Sequence, residues 1–180
     1  MLTRAQKYLM TTIVAGALAA TGCSSNRQNS VHLDYDMGER VTVGPLTYNV
    51  VESSWRSQLG SEFSLRSPQN RFLVITISVT NGGGHEISVP LLTLENTNGQ
   101  TFLESDNGEG VDNWFGILRT LAPAQTQQGR VVFDVPLTSY KLRLTDGATS
   151  GNEKYSWVQI PLRMDTDPGV QTAPPIPVGK

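Results

Sequence analysis

Residues 71–80 read Arg-Phe-Leu-Val-Ile-Thr-Ile-Ser-Val-Thr, and no other stretch constrains the fold as tightly. Extended, the run places Leu73, Ile75, Ile77 and Val79 on one face and Phe72, Val74, Thr76 and Ser78 on the other. Such a β-branched segment, apolar partly on both faces, belongs in the interior of a sheet. Asn81-Gly82-Gly83-Gly84 ends it in a turn that glycine accommodates easily. The same period of two recurs along the chain. Val41 and Val43 begin a short strand, and Leu46, Tyr48 and Val50 alternate with Thr47 and Asn49. Residues 87–97 and 100–104 flank Asn98-Gly99, a strong hairpin signal. Val131, Phe133 and Val135 share a face before Pro136. Tyr140, Leu142 and Leu144 alternate with Lys141 and Arg143, and Val158, Ile160 and Leu162 close the series. Seven or eight short strands separated by turn signals, with almost nothing of helical period, predict an all-β fold, an antiparallel β-sandwich.

That sandwich must stand on its apolar core, because the chain has a single cysteine, Cys23, and no possible internal disulfide. A patterned region of about 125 residues is long enough for one domain, since a domain of this size buries roughly two-thirds of its extended-chain surface. Residues 24–30 are Ser, Asn, Gln and Arg with no apolar side chain, the composition of a flexible tether. Residues 165–180 hold Pro168, Pro174, Pro175 and Pro177 and read as an extended Pro-rich tail, either passive or a docking segment for an aromatic groove.

The N-terminus is an export signal. Arg4 and Lys7 form a basic start, Tyr8 to Ala20 form an uncharged apolar run, and Cys23 follows Ala20-Thr21-Gly22. This layout resembles the lipobox of bacterial lipoproteins, in which cleavage falls before the Cys and its thiol is acylated. Ala17-Leu18-Ala19 also suits ordinary secretory cleavage, and an uncleaved anchor is the third layout. The run is shorter than the ~20 residues a membrane-spanning helix needs. Lipidation on Cys23 implies stable membrane attachment, each buried methylene contributing roughly 0.8 kcal/mol. Ser24 after the Cys implies the outer membrane if the cell has two membranes, and otherwise the outer face of the cytoplasmic membrane. The division expected is a signal peptide over 1–22, lipidated Cys and tether over 23–37, the sandwich over 38–164, and the tail over 165–180. Loss of 1–22 removes two basic residues and leaves 12 basic and 16 acidic, a net charge of −4. Nothing here suits nucleic acid or an anionic lipid surface.

Several segments together resemble a known family. They are residues 42–48 (Thr-Val-Gly-Pro-Leu-Thr-Tyr), residues 72–81, Asn98-Gly99-Gln100-Thr101-Phe102, Leu121-Ala122-Pro123, and residues 129–136 (Gly-Arg-Val-Val-Phe-Asp-Val-Pro). Their order is similar to that of a bacterial immunoglobulin-like domain of unknown function, the telokin-like group that includes an immunoprotective extracellular mycobacterial antigen and recurs in surface lipoproteins. The resemblance spans roughly residues 38–162 and implies an immunoglobulin-like sandwich without assigning catalytic residues. Ala124 stands where that family often has Gly.

Catalytic chemistry finds little material. The two histidines, His32 and His85, fall in the N-terminal approach and the glycine-rich turn, and no Ser sits in a Gly-x-Ser-x-Gly elbow. Gly82-Gly83-Gly84 lacks the Lys and helix of a phosphate-binding loop. A non-enzymatic protein is expected, with no cofactor beyond the lipid. The richest segment is 104–113, Glu-Ser-Asp-Asn-Gly-Glu-Gly-Val-Asp-Asn. Asp106, Glu109 and Asp112 are candidate Ca²⁺ ligands, although their spacing is not that of the helix-loop-helix calcium loop; the other reading is a solvated acidic loop. Trp114 and Phe115 follow, either capping the sandwich or anchoring a ligand with Asp106, Asn107, Glu109 and Asp112. Trp55 and Trp157 read as packing residues. The functional expectation is a lipid-anchored envelope protein with a binding domain, its alternatives being an assembly component of an envelope complex or a cell-wall glycan binder.

Overall fold

The computed structural model describes residues 34–61 and 63–163. Cys23, His32, most of the expected tether and the Pro-rich tail lie outside them. Among the described residues thirteen strands follow one another: β1 (Asp34–Tyr35), β2 (Arg40–Val43), β3 (Leu46–Arg56), β4 (Leu59–Ser61), β5 (Ser64–Arg66), β6 (Arg71–Asn81), β7 (Ile87–Ser88), β8 (Thr93–Asn96), β9 (Thr101–Leu103), β10 (Thr120–Leu121), β11 (Thr126–Val135), β12 (Tyr140–Thr145) and β13 (Tyr155–Ile160). One sheet runs β1-β13-β12-β8-β9 and the other β11-β6-β3-β2; β10-β7 and β4-β5 are two-stranded ribbons. Among the described residues the pairings between these strands are antiparallel except β1 with β13, and an isolated parallel bridge joins Trp114 to Arg130. The antiparallel sandwich is the fold class the alternation predicts. It has nine strands in its two main sheets where seven or eight were expected, because strands of two or three residues leave no period to read.

The inward faces close one core. Leu73, Ile75, Ile77 and Val79 of β6 meet Leu94, Leu142, Leu144 and Val158 of the facing sheet, all essentially buried. The alternation in β3 changes phase at a bulge between Val50 and Glu52. Leu46, Tyr48 and Val50 point inward before it, and Trp55 packs against the core after it. An extra residue re-aims the side chains of the strand that carries it, so Glu52, Ser54 and Arg56 are directed to the outer face. The domain also begins earlier than 38. Asp34 and Tyr35 pair with Trp157 and Val158, and Tyr35 and Met37 pack against the core, so this part of the expected tether is strand.

The outer face of β6 explains its double-sided sequence. Phe72 and Val74 join Leu59, Val132 and Val111 in a second, smaller apolar cluster. The β4–β5 hairpin supplies Leu59 and the segment after β9 supplies Val111. Beyond this cover the outward positions turn polar, to Thr76, Ser78 and Thr80, as a half-solvated strand requires.

Asn81 organises the turn after β6. Fully buried, its side-chain NH₂ donates to the carbonyls of His85 (2.7 Å) and Leu121 (2.9 Å), and its Oδ1 accepts from the Gly83 N–H (2.8 Å). Ala124 occupies the left-handed region at φ +62°, and its N–H donates to the Asn81 carbonyl at 2.9 Å. The turn thus keeps a conformation that glycine favours, at a cost of roughly 1–2 kcal/mol for a residue with a Cβ.

Candidate functional site

The chain leaves β9 and crosses to the edge of the opposite sheet. The Ser105 N–H donates to the Val132 carbonyl (2.6 Å), the Arg130 N–H to the Asn113 carbonyl (2.8 Å), and the Phe115 N–H to the Arg130 carbonyl (2.9 Å). The acidic segment is therefore laid along β11 and partly occupies an edge that would otherwise present unpaired backbone groups. Opposite it, the hairpin is tied in by Ser64 Oγ donating to Glu109 (2.9 Å) and Arg66 Nη1 to the Asn107 carbonyl (2.8 Å). The Arg66 guanidinium also stacks 4.7 Å from the centre of the Phe72 ring.

Between hairpin, segment and sheet lies a groove of about 230 Å³. Val74 and Thr76 form its floor, and Glu52, Arg56, Asp112 and Arg130 bring charge to its walls. Glu52, Thr76 and Arg130 stand on one rung across β3, β6 and β11. With neighbouring strands about 4.8 Å apart, an acid and a base face each other at roughly 10 Å across a small threonine. Asp112 approaches Arg130 at 3.9 Å, but both are solvated and the pair contributes little.

The predicted site residues separate. Asp112 lines the groove. Glu109 and Asn107 hold the hairpin, Asn107 also using its Oδ1 to accept the Glu109 N–H at 2.8 Å. Asp106 is exposed. Among the described residues no three His, Cys, Asp or Glu side chains gather as a metal site, so the Ca²⁺ arrangement of Asp106, Glu109 and Asp112 is not formed. Phe115 is only 4% exposed and belongs to the main core, which corrects its reading as a ligand anchor. Trp114 is half-buried over Gly108, where a Cβ would fall inside its indole. Trp55 packs inward, whereas Trp157 alternates with buried Val158 and Ile160 and makes an edge-to-face contact with Tyr155.

One pair escaped sequence reasoning. Glu104 and Arg119 form an ion pair inside the fold, with side chains 2% and 1% exposed. Arg119 also stacks over the Phe115 ring at 4.9 Å. Burial pushes the Glu104 carboxyl up to about 7 against the opposing attraction of Arg119, and burial lowers Arg119. The signal was present: Phe102 and Glu104 share a strand face, and Phe102 packs against the core.

Sheet order and the partly covered outer face define the class, an antiparallel β-sandwich with a groove on one outer face. Residues 35–154 match the family described as Domain of unknown function (DUF4352), and the chain belongs to that family. No curated protein matches the sequence. Three solved structures are similar in fold. The yjhA protein of Bacillus subtilis has 17% identity and a TM-score of 0.52, covering 70% of this chain and 98% of that one. The ycdA protein of Bacillus subtilis, described as a candidate lipoprotein, has 17% identity and a TM-score of 0.53, covering 68% and 38%. The secreted protein MPT63 of Mycobacterium tuberculosis has 16% identity and a TM-score of 0.51, covering 71% and 97%.

Proposed function

We propose that this protein is a lipid-anchored, non-catalytic binding domain of the bacterial cell envelope, with an immunoglobulin-like sandwich that presents the groove to an envelope partner protein. The groove carries the proposal, because it is a concave, mainly polar site in which Glu52, Arg56, Asp112 and Arg130 converge around Val74 and Thr76, a small set of placed polar groups of the kind that fixes a ligand's orientation. Its acid and base on either side of Thr76 suit an extended peptide segment bearing both charges. Cys23 in its lipobox-like setting supports the anchor, and a candidate lipoprotein and a secreted protein of the same fold agree with an envelope location. The alternative of assembly through a sheet edge has less support. The edge strands β1, β9 and β2 hold two, three and four residues, and the edge of β11 is partly occupied by residues 105–115. Glycan recognition through Trp114 and Phe115 loses its platform, since Phe115 is core.

Photo-crosslinking in living cells tests the groove. A photoreactive residue at Gln58, on the groove wall, should give a discrete protein adduct that disappears when Glu52→Lys and Arg130→Glu are combined. A probe at Thr101 on the facing sheet should give none. No adduct from position 58, or one that survives the charge reversal, overturns the groove reading. Metabolic labelling with an alkyne fatty acid tests the anchor separately: label should appear on the wild type and be absent from Cys23→Ser.

A further inference from the structure

The corner of the sandwich outside the buried Glu104–Arg119 pair is apolar and exposed. The Glu104 N–H donates to the Leu92 carbonyl (3.1 Å) and the Val89 N–H to the Arg119 carbonyl (2.9 Å), so residues 89–92 run from one partner to the other. Val89, Leu92, Glu104 and Arg119 are buried, and the residues next to them turn to solvent. Leu103 is 59% exposed and Leu118 95%, and Leu91 and Ile117 are exposed as well. Single apolar residues on a surface are ordinary, but several gathered at one place mark a contact surface. Leu103 also ends a rung that crosses the outer face of its sheet, in which Asp34, Trp157, Arg143, Thr93 and Leu103 are paired in turn from β1 to β9. Trp157 is half-buried on this face, an aromatic residue of the type that settles at the boundary of lipid and water.

The place where the chain enters the fold says what can lie against this corner. Asp34, the first described residue, shares its rung with Leu103 and stands four strand spacings from it, roughly 19 Å. Both lie toward the β12–β13 turn. Asp34 pairs near the start of β13, and Pro90 lies against Gly147, where a Cβ would fall 3.4 Å from the proline ring. From Cys23 to Asp34 the chain reaches at most about 40 Å when fully extended. A lipid on Cys23 therefore holds the corner within reach of the bilayer and at high local concentration above it. An acyl chain and a second contact together hold a protein to a membrane more firmly than the acyl chain alone. Both basic side chains of β12 are engaged, Lys141 with Asp34 and Arg143 with Glu153, each at 2.8 Å. The face thus suits apolar contact with a neutral surface rather than attraction to an anionic one.

We propose that Leu91, Leu103, Ile117 and Leu118, with Trp157 on the same face, dip into the headgroup layer of the phospholipid bilayer to which Cys23 is tethered. This orientation rests on the anchor reading. It leaves the groove, on the outer face of the opposite sheet, pointing away from the membrane and open to a partner.

Coupling Cys23, the single cysteine, to a maleimide lipid in phosphatidylcholine nanodiscs supplies the tether to residues 23–180 whether or not cells acylate it. With gadolinium chelates on some headgroups, the methyl signals of Leu103 and Leu118 should be broadened away. Those of Leu65, which is 57% exposed on the hairpin beside the groove, and of Val74 on the groove floor should persist. Leu103→Ser combined with Leu118→Ser, both at exposed positions, should bring the broadening at Leu91 down to the level at Leu65. Persistent Leu103 and Leu118 signals in the wild type, or equal loss at Leu65, overturn the proposal. So does a dimer of the untethered protein in sedimentation that the double substitution dissociates, because a second copy would then be the occupant. Absence of fatty-acid label from Cys23 in cells would count against the anchor and not against the affinity of this face for lipid.

Discussion

Replacing Gly129 with alanine tests how the acidic segment is seated. A Cβ at this position would overlap Phe115 Cδ2 and lie 2.9 Å from its Cβ and 3.0 Å from its Cα. Rotation of the ring cannot relieve the last of these contacts, because the Phe115 backbone is fixed to Arg130 on the neighbouring residue. Either β11 or the segment has to move. Forcing a methyl into such a site costs about 1–3 kcal/mol, while alanine in place of glycine within a strand returns roughly 0.5–1 kcal/mol. The net loss should be about 1–2 kcal/mol, a fall in Tm of roughly 4–8 °C for a domain of this size. Calorimetric unfolding of Gly129→Ala beside the wild type measures it. In a Phe115→Leu background the same substitution should cost less, since the overlapped ring is gone. The opposing strand term gives the experiment its force. Without the seated Phe115, Gly129→Ala would be neutral or stabilising, and an unchanged or higher Tm would refute the placement of the segment on β11.

Asn81→Ala removes a buried side chain with three hydrogen bonds and should lower stability by about 2–4 kcal/mol in chemical denaturation. Ala124→Gly should raise stability by roughly 0.5–1 kcal/mol in the same assay, because glycine relieves the left-handed backbone at that turn. Leu59→Ala should loosen the hairpin that covers the outer face of β6, at a cost of about 2–3 kcal/mol. Chymotrypsin should then cut faster at Phe63, already 97% exposed at the hairpin tip, than at any strand of the main core.

What the sequence disclosed followed from how far each residue's role was local. The alternation in β6, β11, β12 and β13 is enforced by a face that must be dry, so it could be read directly. Asn98-Gly99 marked its hairpin for a similar reason: Gly99 has φ +76°. The expected strand over 87–97 is instead split into β7 and β8, with Pro90, which has no N–H to give a ladder, between them. The second half of β3 was illegible because the bulge at Val51 shifts its period, leaving Ser53 and Ser54 to resemble a loop. The β4–β5 hairpin carries one buried apolar residue, Leu59, in a polar setting, too little to announce a strand. For the candidate site, composition drew attention to residues 104–113 but could not show that Glu109 and Asn107 turn toward a hairpin more than forty residues earlier. It was equally silent about Glu52, Arg56 and Arg130, which meet only because three strands are aligned.

The parallel pairing of β1 with β13 has a mechanical consequence. β1 and β13 run side by side, so the chain enters the sandwich near one end and leaves it near the other. Tension applied between the two ends would pull these strands in opposite directions along their length. Their hydrogen bonds would then break together, in shear, rather than one after another as in an unzipping hairpin. Lys141 to Asp34 at 2.8 Å and Gln159 to Asp34 at 3.3 Å cross the same seam and would share the load. With only two residues in β1, this fastening would yield first under stretching and leave the other eight strands of the two sheets to bear the force through β2 and β13.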